Sequence, residues 1–335
     1  MDTKKPAEAF TPEETREPVA DLLAEELKGR VVRPGELPGT IGATAARGTE
    51  ASQMTSEEQA WHGRISRLLD PETHLDITDQ LSVMREFWGN LGYQLPPLSK
   101  YQLGDLAEAA ESQPGHRVVP TLLSSLIRRR AIVKRALTLP DQASIPGDNE
   151  LWRPDKNSVY RKLLWRPENS VIVGDKTYGL RFKTEAGDIV SRAAHLALLK
   201  ETGRAVEAKK GNVWTFPVMD VRFRSKRTYD TAGNLYPSVD FITAPESLIA
   251  VQLLHQASGI ANPEQTGPLD FGWEADFANE AVYELDEAGN PKALFSVASV
   301  SWALNERHIG LGDWHPGLQV GGFGVRDATS GLKRH

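Results

Sequence analysis

Four residues near the C-terminal end are of types that can hold a divalent cation: Glu306, His308, Asp313 and His315. Imidazole nitrogens and carboxylate oxygens together suit zinc, manganese or iron. Asp313 and His315 stand two apart, so on a strand both face one way, and Glu306 with His308 precedes them by a hairpin-sized interval. Such a set would serve a metal-dependent hydrolase. The spacing is unspecific, because no His-Glu-x-x-His element accompanies it. With Pro316-Gly317 directly after, the plainer reading makes Asp313 a turn residue and His315 a surface residue. No cofactor is expected, a divalent metal at these positions being the alternative.

Other chemistry is sparser. The chain has no cysteine, which removes disulfides, thiolate nucleophiles and iron–sulfur ligation together and fits a reducing cytoplasm. It has no Gly-x-Ser-x-Gly elbow and no Gly-x-x-x-x-Gly-Lys-Ser/Thr loop. Trp273, Trp302 and Trp314 could line a peptide or sugar groove, although tryptophans in a domain of this size chiefly fill cores. Arg222 and Arg224 would project together from one face of a strand, most simply a solvated one. Arg128-Arg129-Arg130 with Lys134 and Arg135 scatter around a helical wheel and no aromatic residue interleaves to stack bases. With a net charge of -6, nucleic acid is not an expected partner. No apolar run approaches a membrane span and the first ten residues carry no export signal, so a soluble cytoplasmic protein is expected.

These residues need elements to position them. A length of 335 residues, 40% of them hydrophobic, allows a sizeable core. Residues 1–56 are rich in Glu, Thr, Ala, Gly and Pro with Phe10 as the sole aromatic, which reads as a disordered tail. Inside it Val19, Leu22, Leu23 and Leu27 recur at helical spacing and could form a helix that docks on a partner. Residues 57–138 have helical period. Trp61, Ile65, Leu68 and Leu69 make one stripe; Leu81, Met84, Phe87 and Trp88 make another, ended by Gly92. A third helix starts at Ser99 and a fourth is expected from Pro120 to Leu137, giving a small bundle. Residues 139–157, with three prolines, read as a linker or surface loop.

From 158 to 327 strands dominate. Val159–Trp165, Val171–Val173 and Tyr178–Lys183 read as strands, Ile189–Lys200 and Ala244–Ser258 as helices. Ala293–Leu304 is apolar on both faces, as a central covered strand would be. Three segments share one turn chemistry: Thr184–Asp188, Asp230–Asn234 and Asp286–Asn290. The second and third read as hairpins, the first as a strand-to-helix corner. Residues 328–335 read as a flexible end.

Two resemblances accompany these patterns. Thr228-Tyr-Asp-Thr-Ala-Gly-Asn-Leu235 resembles one tyrosine–aspartate repeat unit of large toxin shells, but it spans eight residues and does not recur. The helix Pro245–Gln256, together with Trp302, Ile309-Gly-Leu-Gly312, Trp314-His315-Pro316 and the closing glycine-rich strand, is similar to the C-terminal part of an uncharacterised actinobacterial family. That family has no assigned activity, so the resemblance implies a lineage and transfers no catalytic residue. The expected fold is α+β: an N-terminal helical bundle, then a mainly antiparallel sheet domain with two packed helices. The expected function is a cytoplasmic protein-interaction or assembly component whose partner is another protein.

Overall fold

The computed structural model describes residues 55–90, 92–123, 152–154, 158–164, 170–184, 186–208, 212–221, 244–258, 275–303, 308–314, 323–326 and 328–333. All belong to one compact unit, Gln53–His335. The Val19–Leu27 docking helix, the cationic segment 124–137, the turn at 230–234 and residues Arg222, Arg224, Trp273, Glu306 and His315 lie outside the described residues.

Three helices open the described chain: α1 (Ser56–Leu69), α2 (Ile77–Asn90) and α3 (Lys100–Glu111). The expected stripes are their buried faces, with Ile65, Leu69, Met84, Phe87 and Trp88 removed from solvent. At α2 the Asp76 carboxylate accepts the amide of Asp79, and Gly92, with φ of 82°, turns the chain out at the other end. A reciprocal capping box between Ser99 and Gln102 starts α3.

Two short strands follow, the second at the start of the expected fourth helix, whose residues 124–137 lie outside the described residues. Strand β1 spans His116–Val118 and β2 spans Thr121–Leu122. The Leu122-Leu123 pair suggested helical spacing, but Pro120 bends an extended run whose residues are buried on both sides. This correction reaches the bundle as well. Trp88 of α2 meets Trp214 edge-on at 5.1 Å and donates to the Pro120 carbonyl at 2.7 Å, so the helices share one core with the strands.

The remaining elements are β3 (Trp152–Pro154), α4 (Val159–Leu164), β4 (Ser170–Val173), β5 (Lys176–Lys183), β6 (Ile189–Ser191), α5 (Arg192–Glu201), β7 (Ala205–Ala208), β8 (Asn212–Thr215) and β9 (Pro217–Asp220). After them come α6 (Pro245–Ala257), β10 (Ala275–Leu285), β11 (Pro291–Ala303), β12 (His308–Trp314), β13 (Phe323–Gly324) and β14 (Ala328–Ser330). The main sheet has the order β3-β12-β11-β10-β5-β4, with β6 beside β5 and β13 beside β10. Its pairs are antiparallel except β3 with β12 and β10 with β13. Two three-stranded sheets, β1-β9-β14 and β2-β8-β7, complete an α+β fold.

Helix α6 lies at the centre, between the main sheet on one side and α1 and β2 on the other. Its sequence has almost no polar face: Leu248, Ile249, Ala250 and Val251 are all fully buried. Strand β11 is covered on both faces as expected, with Ala298 and Val300 in the main core and Val297 in a second cluster with Phe277, Tyr283 and Val325.

Four further expectations are corrected. Val159–Leu164 is helix rather than strand, because Asp313 caps its start and both Tyr160 and Leu163 turn inward at helical spacing. Ile189–Ser191 is strand, so Thr184–Asp188 is a hairpin tip with the same bonds as Asp286–Asn290. In each turn the first residue's amide reaches the last residue's carbonyl, and Gly187 (φ 88°) or Gly289 (φ 81°) supplies the left-handed position. Residues 152–154, placed in the linker, pair with β12.

The fourth correction concerns the C-terminal end. Residues 328–330 pair with β9, Leu332 is buried in the main core, and the Lys333 amide donates to Asp105 at 3.1 Å. Between them Gly331 is pressed against α3 and β9: a Cβ there would stand 2.5 Å from Leu106 Cδ2 and 2.7 Å from the Phe216 carbonyl. Gly331→Ala is therefore expected to lower stability by about 1–3 kcal/mol through overpacking, measured as a lower urea midpoint with an unchanged slope. An unchanged midpoint would show that β14 does not hold this position.

Candidate functional site

Four elements bring ionisable groups together under the sheet. Glu280 lies on the face of β10 that meets α6, and Glu246 sits in the first turn of α6, where the helix dipole favours an anion. Arg192 is the first residue of α5, whose N-cap is Ser191, and Tyr160 projects from α4. Both glutamate side chains are fully buried, while the Arg192 side chain keeps 15% of its surface.

Arg192 Nη1 donates to both Glu280 oxygens at 2.8 Å. Its Nη2 donates to the Leu123 carbonyl at 3.0 Å and to Glu246 Oε1. The Tyr160 hydroxyl donates to Glu280 Oε2. Burial first, and the Glu280 charge second, push the Tyr160 hydroxyl well above its usual range, so it stays a neutral donor. Burial works against the Arg192 charge, but Glu280 and the Tyr160 bond outweigh it and hold the guanidinium above its ordinary value. Arg192 also stands over the Phe182 ring, 5.6 Å from its centroid, and the His195 ring stacks on Phe182 at 4.5 Å.

Beside this cluster lies a cavity of about 20 Å³, lined by His195, Ser247, Thr215, Ala244 and Leu123 among others. That is room for about one water molecule. Arg192 and Tyr160 tie α4, α5, α6 and β10 together through Glu280 and Glu246 Oε1, while Glu246 Oε2 is buried without a hydrogen-bond partner among the described residues. A second buried set repeats the theme: Asp276 accepts from Arg326 Nε at 2.9 Å and from Gln252 Nε2 at 3.3 Å.

His195 gives a pH test of this region. Burial, reinforced by the nearby Arg192 charge, pulls its pKa down from 6.5 to about 4. A depressed histidine contributes stability that is present above pH 6.5 and is lost as pH falls towards 4. The loss expected from this group is about 3 kcal/mol. His195→Phe should therefore flatten the stability profile between pH 6.5 and 4 relative to wild type; parallel profiles would contradict the assignment.

Of the four residues first suspected of metal binding, Glu306 and His315 lie outside the described residues, among which no group of three or more histidine and carboxylate side chains gathers. His308 pairs with Ala303 at one end of the ladder between β12 and β11, and Asp313 pairs with Ala298 one position before its other end. Asp313 accepts from the Ser158 and Ser296 hydroxyls and from the Tyr160 amide at 3.3 Å, which makes it the cap of α4. Trp302 is paired with Ile309, and Trp314 is half-buried against the second apolar cluster. Sequence reasoning missed Tyr160, Arg192, Glu246 and Glu280. The available signal was a glutamate inside an otherwise apolar element, as in Pro245-Glu-Ser-Leu-Ile-Ala and Ala278-Asn-Glu-Ala-Val.

The surface offers a different feature. Of the five large apolar side chains that are exposed among the described residues, Ile172, Val173 and Ile189 lie on β4 and β6, with Ile172 75% exposed. Among the described residues, strand β4 ends the strand order and β6 pairs only with β5. No helix among the described residues is long and apolar enough to cross a membrane. No family model, curated protein or solved structure matches the chain.

Proposed function

We propose that the protein is a cytoplasmic protein-interaction or assembly component without catalytic activity. The observation that carries this is the exposed apolar edge at β4 and β6, since unpaired strand edges with apolar side chains are templates for pairing with another chain. The buried ionic cluster supports it in another way: Arg192 spends its donors on Glu280, Glu246 and the Leu123 carbonyl, and the neighbouring cavity holds only about 20 Å³. Metal-dependent hydrolysis is the weaker reading, because both Asp313 oxygens already accept hydrogen bonds. Purification of the full chain from its own host at physiological salt should yield a stoichiometric complex with another protein. A monomer carrying one divalent ion per chain would overturn the proposal and favour the hydrolase.

A further inference from the structure

We propose that the cavity beside the ionic cluster binds a single monovalent anion of halide size, held by Thr215, His195 and Arg204. The site is separate from the exposed edge and independent of it.

His195 is the starting point. Its ring is 5% exposed and stacks on Phe182 at 4.5 Å, and its Nδ1 is buried with no hydrogen-bond partner among the described residues. An unpaired buried polar atom is unfavourable, so a guest that pairs with it stabilises the fold. The ring lines the cavity together with Arg204 after α5, Thr215 at the end of β8, Ala244 and Ser247 at the start of α6, and Ser330 in β14. A neutral imidazole carries one proton, and a guest that accepts a hydrogen bond draws that proton to Nδ1.

Hydrogen bonding and charge both select an anion. Ser247 and Ser330 donate their own hydroxyl hydrogens to Thr121 Oγ1 and to the Leu332 carbonyl, each at 3.1 Å. Donors to a guest then come from Thr215, His195 and the guanidinium of Arg204. No carboxylate belongs to the lining among the described residues, whereas Arg204 does, and the charge that adds to burial in lowering the His195 pKa is the Arg192 cation. Ala244 and Ser247 bring the first turn of α6, the positive end of its dipole, to the same wall. A metal cation would be repelled by these groups. Size narrows the class: about 20 Å³ admits one atom-sized guest, and phosphate or sulfate, each a cluster of covalently bonded heavy atoms, exceeds it.

The test is urea unfolding of the full chain in sodium chloride against sodium gluconate at equal sodium concentration. Chloride should raise the midpoint saturably, shifting the folding equilibrium about elevenfold at ten times its dissociation constant, while gluconate, too large for the cavity, should not. Thr215→Val keeps the side-chain shape and removes one donor, so it should weaken chloride by about tenfold or more. Crystals of the wild-type chain grown in sodium bromide give a second readout that needs no variant: an anomalous peak is expected within hydrogen-bonding reach of Thr215 Oγ1 and His195 Nδ1. A cavity filled by water alone, or bromide found only on the protein surface, overturns the proposal. So do equal effects of chloride and gluconate, or a chloride effect that Thr215→Val leaves intact.

Discussion

Arg192→Met is expected to cost about 3–5 kcal/mol of unfolding free energy, one of the two largest effects predicted for the protein. Its guanidinium is the shared partner of two glutamates whose side chains have no exposed surface. Removing it leaves Glu280 with the Tyr160 hydroxyl alone and Glu246 with no partner among the described residues. A buried carboxylate without a counter-charge must either take up a proton or open the structure to water. The cost should be partly relieved by a second substitution, Glu246→Gln, because a neutral amide tolerates burial better than an unpaired charge. Urea unfolding of the two single variants and the double variant measures this as a coupling energy. A loss below about 1 kcal/mol for Arg192→Met would mean that the cluster does not tie its four elements together.

Arg117→Met should rank beside it, at about 3–5 kcal/mol. Arg117 is buried on β1, and its donors reach the carbonyls of Leu68 at 2.9 Å, of Asp70 and Thr73 at 2.7 Å, and of His116 at 2.9 Å. Three of these carbonyls belong to the last turn of α1 and the segment after it, the groups a helix leaves unpaired at its end. Burial lowers the Arg117 pKa, partly offset by Asp70 and Asp220, and the side chain stays charged. Lysine offers no planar fork, so Arg117→Lys should recover only part of the loss. Hydrogen exchange checks the mechanism: amides of α1 should lose protection before those of β11. Equal loss throughout would assign Arg117 a general role in the core instead.

What the amino-acid sequence revealed, and what it hid, follows from the range of the forces involved. Helices with one apolar stripe, such as Trp61–Leu69 and Leu81–Trp88, were legible because their pattern is local and repeats over several turns. Strand β11 was legible because its two apolar faces alternate over thirteen residues. Short elements were not. Strands β1, β2, β3 and β14 have two or three residues each, fewer than an alternation needs, and their positions are set by partners remote in sequence. The turn at Thr184–Asp188 shows the same limit: its chemistry announced a hairpin, but the apolar spacing of the following helix was extended three residues too early, over β6.

The candidate sites separate along the same line. Glu306, His308, Asp313 and His315 drew attention because they are close in sequence, yet Asp313 is committed to capping α4, about 150 residues earlier in the chain. Tyr160, Arg192, Glu246 and Glu280 are scattered over 120 positions and converge only when α4, α5 and α6 pack on β10. The exposed edge has the same origin: Ile172 and Ile189 lie on separate strands that β5 brings into line.

Native mass spectrometry of the untagged full chain, purified from its own host at physiological salt, tests the central claim most directly. The predicted result is a complex heavier than the 36.9 kDa chain and containing a second protein, reduced to the chain alone by Ile172→Lys with Ile189→Lys. A wild-type protein found only at its own mass would contradict the account.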